Sequence, residues 1–291
     1  HDALPIFTAA VCAYGAARIR RLPLLVTVHE VFTRGQYEGG AGRLKRAFVE
    51  FILKGFKRIH AVSADAARNI VEFMPRLAHP EDRIAVIKNG IDVERFANCQ
   101  KRDLKTELGL DEQTAIFGFF GRFMAPKGFR VLIRAVELLA QREQKRNFVV
   151  VCVGGGGFIR EDRATVEQLG LASLFRFLPF EREIGPTIKG VDAVVMPSLW
   201  EAGPLLPMEA MVCGVPLIAS NCVGLRETVV DTPARVVQAG DAEALARAME
   251  EELASPSFAA ARNFVSEAKR RFDARRSYGQ LKEVYRQLIG E

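Results

Sequence analysis

The chain has 291 residues, 49% hydrophobic and 26% charged, a balance that fits a folded globular protein and excludes long disorder, collagen and disulfide-knot classes. At roughly 150 residues per domain, this length predicts two domains. Its 41 Lys and Arg against 35 Asp and Glu leave a charge of +6, compatible with anionic substrates, an anionic membrane surface or nucleic acid and selective for none of them.

No run reaches the roughly 18 apolar residues of a spanning helix. The five cysteines (Cys12, Cys99, Cys152, Cys213 and Cys222) are odd in number, lack CxxC spacing and suit a reducing cytoplasm. The histidines at positions 1, 29, 60 and 79 have no nearby Cys partners, so no zinc pattern arises and no metal site is expected. There is no initiator Met and no signal-peptide pattern. The opening His-Asp-Ala-Leu-Pro-Ile reads as one frame of a sequencing-adapter primer. Residues 1 to 6 are therefore expected to be a cloning scar, with the gene extending upstream and no chemistry at His1 or Asp2.

Taken in order, the pattern predicts a helix over Thr8 to Arg21 and a strand from Leu24 to Val28 ending at His29. A polar loop then runs to Gly42, followed by a helix with Leu44, Phe48, Phe51 and Ile52 spacing. A strand at Arg58 to Val62 leads through Ser63, a candidate cap, into a helix, and another strand covers Ile84 to Ile87. Residues 92 to 112, charged and weakly periodic, read as the linker. Further strands follow at Ala115 to Phe120, Asn147 to Val153, Leu174 to Leu178, Asp192 to Met196 and Val215 to Ala219. Helices lie between them, and a last helix is predicted over Ala259 to Leu288 with Phe272, Tyr278, Leu281, Val284 and Tyr285 as anchors. Alternating helices and strands make an α/β fold of two doubly wound parallel sheets. The first series, with three clear strands, looks incomplete. The expected division is 7–98, 99–270 and a C-terminal helix at 271–291 crossing back to the first domain.

Three stretches could carry chemistry. Gly121-Arg122-Phe123-Met124-Ala125-Pro126-Lys127-Gly128 sits between a strand and a helix, where free N–H groups, a guanidinium fork and an ammonium suit a diphosphate. It could equally be a solvated turn. In the stretch from Pro197 to Met211, Glu201 leaves a strand end and Glu209 falls in the first turn of a helix opened by Pro207. This pair could serve acid–base hydrolysis or accept hydrogen bonds from sugar or ribose hydroxyls, or Glu209 could simply answer the helix dipole. Gly154 to Gly157 fails the GxGxxG dinucleotide pattern because Ile159 stands where glycine is needed; the run allows close backbone approach to a ligand or makes a mobile turn. No P-loop and no Asp-x-Asp pair occurs, which disfavours metal-assisted transfer.

Taken together, GR..PKG, the Gly run, VDAVVMPS, the Glu201 and Glu209 pair, EAMVCGVPLIAS and Gly224-Leu225-Arg226-Glu227 resemble the catalytic half of the family-4 retaining glycosyltransferases, of GT-B fold. The resemblance runs over residues 8 to 290 and includes IKNGID at Ile87 to Asp92 and TVHE at Thr27 to Glu30. It implies a nucleotide-diphosphate-sugar donor as substrate, no separate cofactor and no obligatory metal, a glycan or lipid-linked acceptor, and a cytoplasmic enzyme of surface polysaccharide or glycolipid synthesis. Retention would follow a front-side route in which the leaving phosphate takes the acceptor's proton. By the same resemblance Gly121, Arg122 and Lys127 grip the diphosphate, Glu209 holds the ribose, Glu201 contacts the sugar and His29 stands near the reaction centre. The edge at Leu178 to Phe180 meets the base. Where the family has Phe-Gly this chain has Gly203-Pro204, which removes an N–H, so Leu205 and Leu206 are expected to supply those contacts.

The basic amphipathic stretch Arg43 to Arg58 either packs on the core or rests on an anionic leaflet at the inner face of the membrane. Aromatics at core spacing argue against nucleic acid. Two rivals stay open: a nucleotide-sugar epimerase of the same fold, and a non-catalytic nucleotide-sugar-binding fragment.

Overall fold

A computed structural model of the chain describes residues 12–15, 19–20, 22–142 and 147–290. Residues 1 to 6 and most of the helix read over Thr8 to Arg21 lie outside these. The chain divides into two units, one holding the sequence through Asn89 together with the segment from Arg275, the other Gly90–Ala274.

The first unit carries strands β1 (Leu25–Val28), β2 (Arg58–Ala61) and β3 (Ile84–Val86), all parallel and adjacent in that order. Helices α1 (Gly39–Lys54) and α2 (Ala64–Phe73) connect them. Ser63 caps α2 as its position suggests, its hydroxyl accepting from the Ala66 N–H at 3.0 Å. Val49, Leu53, Ile59, Ile70 and Met74 build the core. The helix α1 has two apolar stripes, and the one it buries is Val49, Ile52 and Leu53. Of the spacing that predicted the helix, Ile52 is buried while Leu44, Phe48 and Phe51 face solvent.

In the second unit six parallel strands form one sheet: β4 (Ala115–Phe120), β5 (Phe148–Val153), β6 (Phe175–Leu178), β7 (Ala193–Met196), β8 (Leu217–Ser220) and β9 (Arg235–Val237). Their spatial order is β6-β5-β4-β7-β8-β9, the doubly wound order of a nucleotide-binding fold. Successive side chains of β4 enter opposite cores, Phe117 and Phe119 on one face, Ile116 and Phe120 on the other. Burial on both faces explains why β4 reads as a continuous apolar run. β9, an edge strand of three residues, gave no periodic signal.

Residues 92 to 112 are not a bare connection. They contain α3 (Val93–Asn98) and α4 (Leu104–Glu107), capped by Asp92 and Asp103, and Val93, Phe96 and Leu104 are buried in the second unit's core. The units therefore part at Asn89 and Gly90. At the other end the single predicted helix is two, α11 (Phe258–Phe272) and α12 (Ala274–Ile289). The intervening numbers are α5 (Phe129–Ala140), α6 (Ile159–Gln168), α7 (Gly185–Gly190), α8 (Leu206–Val212), α9 (Arg226–Val229) and α10 (Ala242–Ala254). The break at Asp273 lets the backbone pair with Ile91, whose N–H donates to Phe272 O at 2.8 Å and whose carbonyl accepts from Ala274 N–H at 3.0 Å. Phe272 is buried, but Tyr278 and Tyr285 are exposed and anchor nothing in the described structure.

Candidate functional site

Strand order reverses between β4 and β7, and the loops leaving their carboxyl ends part there. A cavity of about 590 Å³ opens over the carboxyl edge of β4, β5 and β6, in the size range of small-molecule sites. Its walls include Gly121, Arg122 and Lys127 after β4, Gly154 and Gly155 after β5, Phe180 after β6, and Leu205, Leu206 and Glu209 at the start of α8.

The cation-bearing loop is shaped by two glycines. Gly128 has φ +67, and a Cβ there would stand 1.9 Å from the Pro197 carbonyl oxygen. That close approach joins the loop to the segment after β7, as does the Leu199 N–H, which donates to Pro126 O at 2.7 Å. Gly154, at φ +143, would bring a Cβ to 2.0 Å from Gly121 O, and Phe123 N–H donates to Gly155 O at 2.8 Å. Gly154 thus lets two loops of the protein touch, and with Gly155 it also lines the cavity.

Lys127 lines the cavity and donates from Nζ to Glu201 Oε1 at 2.7 Å. The same oxygen accepts from Ser198 Oγ at 2.8 Å. Glu201 is buried behind Lys127 and is not part of the cavity wall. Of the residues singled out in the sequence, then, Gly121, Arg122, Lys127, Phe180, Leu205, Leu206 and Glu209 share one wall system, with Glu201 one side chain behind it.

Glu209 is also buried, and burial raises its carboxyl to about 7, against a smaller opposing pull from the Arg95 charge. Pro207 sits in the first turn of α8, where its fixed φ suits the helix start. Phe180 presents a ring 72% exposed on the cavity wall, a surface on which a planar group could stack.

His29 belongs to the other unit, just after β1. Desolvation, and secondarily the neighbouring His60, push its imidazole below the ordinary value. His60 donates from Nε2 to the Ile87 carbonyl at 2.8 Å, and its Nδ1 lies 3.2 Å from Thr27 Oγ1.

Sequence reasoning missed Asp92 and Arg95, which line the same cavity from α3. Arg95 is held by Glu183, at 2.5 Å from Nη2 and 2.9 Å from Nε. An Asp at a cap position with Arg in the first turn was the available signal, obscured by reading the stretch as linker.

Residues 100–271 match the model of the group 1 glycosyl transferases, and residues 2–95 that of glycosyltransferase family 4. The chain belongs to the group 1 glycosyl transferases. It is 37% identical over 153 residues to D-inositol 3-phosphate glycosyltransferase of Corynebacterium jeikeium (strain K411), covering 49% of this chain and 36% of that one. It is 28% identical over 250 residues to 2-deoxystreptamine glucosyltransferase of Streptomyces kanamyceticus, covering 83% of this chain and 64% of that one. The chain thus spans between 36% and 64% of these two relatives' lengths. Among solved structures, Anabaena HepE in complex with UDP and glucose superposes with a TM-score of 0.83 at 22% identity, covering 96% of this chain and 76% of that one. At that identity the likeness is one of fold, the GT-B class with its two Rossmann-like sets of parallel strands.

Among the described residues, no three His, Cys, Asp or Glu side chains gather to hold a metal ion, and no helix is long and apolar enough to cross a membrane.

Proposed function

We propose that the chain moves a sugar from a nucleoside-diphosphate-sugar to a glycan or lipid-linked acceptor with retention of anomeric configuration, in the synthesis of a surface polysaccharide or glycolipid in the cytoplasm. The observation that carries this reading is the meeting of Arg122, Lys127 and Glu209 in one cavity at the strand-order reversal of the second unit. HepE, of the same fold, binds UDP and glucose.

The chemistry follows from charge. As the bond from sugar to diphosphate breaks, negative charge grows on the phosphates while the sugar becomes oxocarbenium-like. Arg122 and Lys127, which line the cavity, then interact more strongly with the transition state than with the bound donor. Glu209 accepts hydrogen bonds from the ribose hydroxyls, and Phe180 meets the base. The departing phosphate oxygen takes the acceptor hydroxyl's proton on the same face, so no protein nucleophile is required. Water kept from the site limits hydrolysis.

The test is transfer itself. The chain is incubated with UDP-, GDP- and ADP-sugars and with inositol phosphate, 2-deoxystreptamine or a lipid-linked glycan, and nucleoside diphosphate release is followed. The proposal expects release that depends on an acceptor, with a product whose anomeric proton coupling matches the donor. Release without any acceptor would instead favour the epimerase reading, and binding without release the non-catalytic one.

A peripheral membrane contact is supported by α1, where Leu44, Phe48 and Phe51 are exposed among Arg43, Lys45, Arg46 and Lys54. Flotation with phosphatidylglycerol vesicles but not with phosphatidylcholine vesicles is the expected result, and Phe48→Ser should reduce it. Equal flotation with both lipids would reject an electrostatic contact.

A further inference from the structure

Two thiols meet at the carboxyl ends of α3 and α8. Cys99 Sγ donates to the Phe96 carbonyl at 3.1 Å, and Cys213 Sγ donates to the same oxygen at 3.5 Å. Both sulfurs thus converge on one carbonyl oxygen. Space for them depends on Gly185 in α7, where a Cβ would stand 2.9 Å from Cys99 Sγ. Lys189, from the same helix, donates to the Ala97 and Cys99 carbonyls at 2.7 Å each, placing an ammonium beside the pair. Both cysteines are half-buried, whereas Cys152 and Cys222 are buried and Cys12 is exposed and far from them in sequence.

We infer that Cys99 and Cys213 are a site of reversible oxidative modification, at which a peroxide converts the two thiols into an intramolecular disulfide that ties α3 to α8. This goes beyond the transferase reading and does not rest on it. Cys99 sulfur attacks one peroxide oxygen, the O–O bond breaks, and Cys99 becomes a sulfenic acid as the first water leaves. Cys213 sulfur then attacks the Cys99 sulfur, the S–O bond breaks, and the second water leaves with the Cys213 proton. Two thiols have lost two electrons and two protons, and one hydrogen peroxide has become two waters. The order follows from burial, which pushes the Cys213 thiol well up and keeps it protonated, while Lys189 works in the opposite direction. Cys213 is therefore the resolving partner. Reaching the S–S length of about 2.05 Å requires the two helix ends to close on each other. Because α3 carries Arg95 and α8 carries Glu209, the bond fixes two walls of the cavity together.

The test treats the full chain with hydrogen peroxide and maps its peptides by mass spectrometry without reduction, alongside thermal unfolding before and after dithiothreitol. The expected result is a Cys99–Cys213 linked peptide and a midpoint raised by roughly 3 °C or more, reversed by the reductant. Cys99→Ser and Cys213→Ser should each lose both. The wild-type comparison with and without reductant stands even if a variant folds poorly. Absence of the linked peptide, or an equal peroxide-induced shift in Cys213→Ser, would overturn the inference.

Discussion

Lys127 Nζ stands 2.7 Å from Glu201 Oε1, and Ser198 Oγ reaches that same oxygen at 2.8 Å. Donors from the loop after β4 and the segment after β7 thus converge on one atom. With side chains 26% and 10% exposed, the ion pair is largely screened from bulk water, so Glu201 governs where the ammonium stands over the cavity. On the proposed reading, a carboxylate in this position would serve the diphosphate through Lys127, in addition to any contact it makes with a sugar.

Replacing Lys127 by Ala should lower turnover by well over tenfold, corresponding to at least about 1.4 kcal/mol of transition-state stabilisation. Steady-state rates on the full chain check this. Retained turnover would remove Lys127 from the chemistry.

Glu201→Gln separates two roles for that residue. If it acts by holding Lys127, the variant should weaken binding of UDP, which carries no sugar, and the double variant with Lys127→Ala should be no weaker than Lys127→Ala alone. If it acts only on the sugar, UDP binding will be unchanged and only UDP-sugar binding will fall. Isothermal calorimetry distinguishes these outcomes.

The raised carboxyl of Glu209 makes a statement about pH. Its folded value of about 7 exceeds the ordinary 4.5, so between these values the native protein keeps a proton that the unfolded chain has released. The stability contributed is therefore fully present below pH 4.5 and lost as pH rises through 7. Glu209→Gln should be more stable than wild type at pH 8, by about 1–3 kcal/mol, and similar at pH 4. On the proposed reading, ribose hydroxyls donating to the carboxylate would favour its ionised form, so wild-type affinity for UDP should rise from pH 6 to 8 relative to Glu209→Gln. Urea unfolding and calorimetry at several pH values test both signs.

Gly128→Ala should destabilise the second unit by about 2 kcal/mol or more. Its φ of +67 disfavours any side chain, and the added carbon would collide with the Pro197 carbonyl. A denaturation midpoint equal to that of wild type would contradict this.

His29→Ala should lower kcat while leaving UDP affinity unchanged, because among the described residues those lining the cavity all belong to the second unit. A change in UDP affinity of similar size would argue that His29 acts on nucleotide binding.

Much of this architecture was legible because its signals were long and redundant. β4 and β5 are six-residue apolar runs, Ser63 precedes its helix as a cap, and the motif around Lys127 follows a strand and opens a helix. What escaped was short or had two solutions. The helices α3 and α4 span six and four residues, too few for a helical period, so Asp92 and Arg95 went unread. In α1 two apolar stripes compete, and only packing against the strands selects Val49 over Phe48. The pairing of Lys127 with Glu201 joins loops far apart in sequence, and spacing along the chain carries no trace of it.

The central claim is that a nucleoside diphosphate binds between the Arg122 and Lys127 loop and Glu209. It is tested most directly by calorimetry with UDP, GDP and ADP on wild type, Arg122→Ala and Glu209→Ala. The account predicts saturable binding of at least one nucleotide, weakened about tenfold or more in each variant. No binding by any of the three, or the same affinity in wild type and both variants, would contradict it.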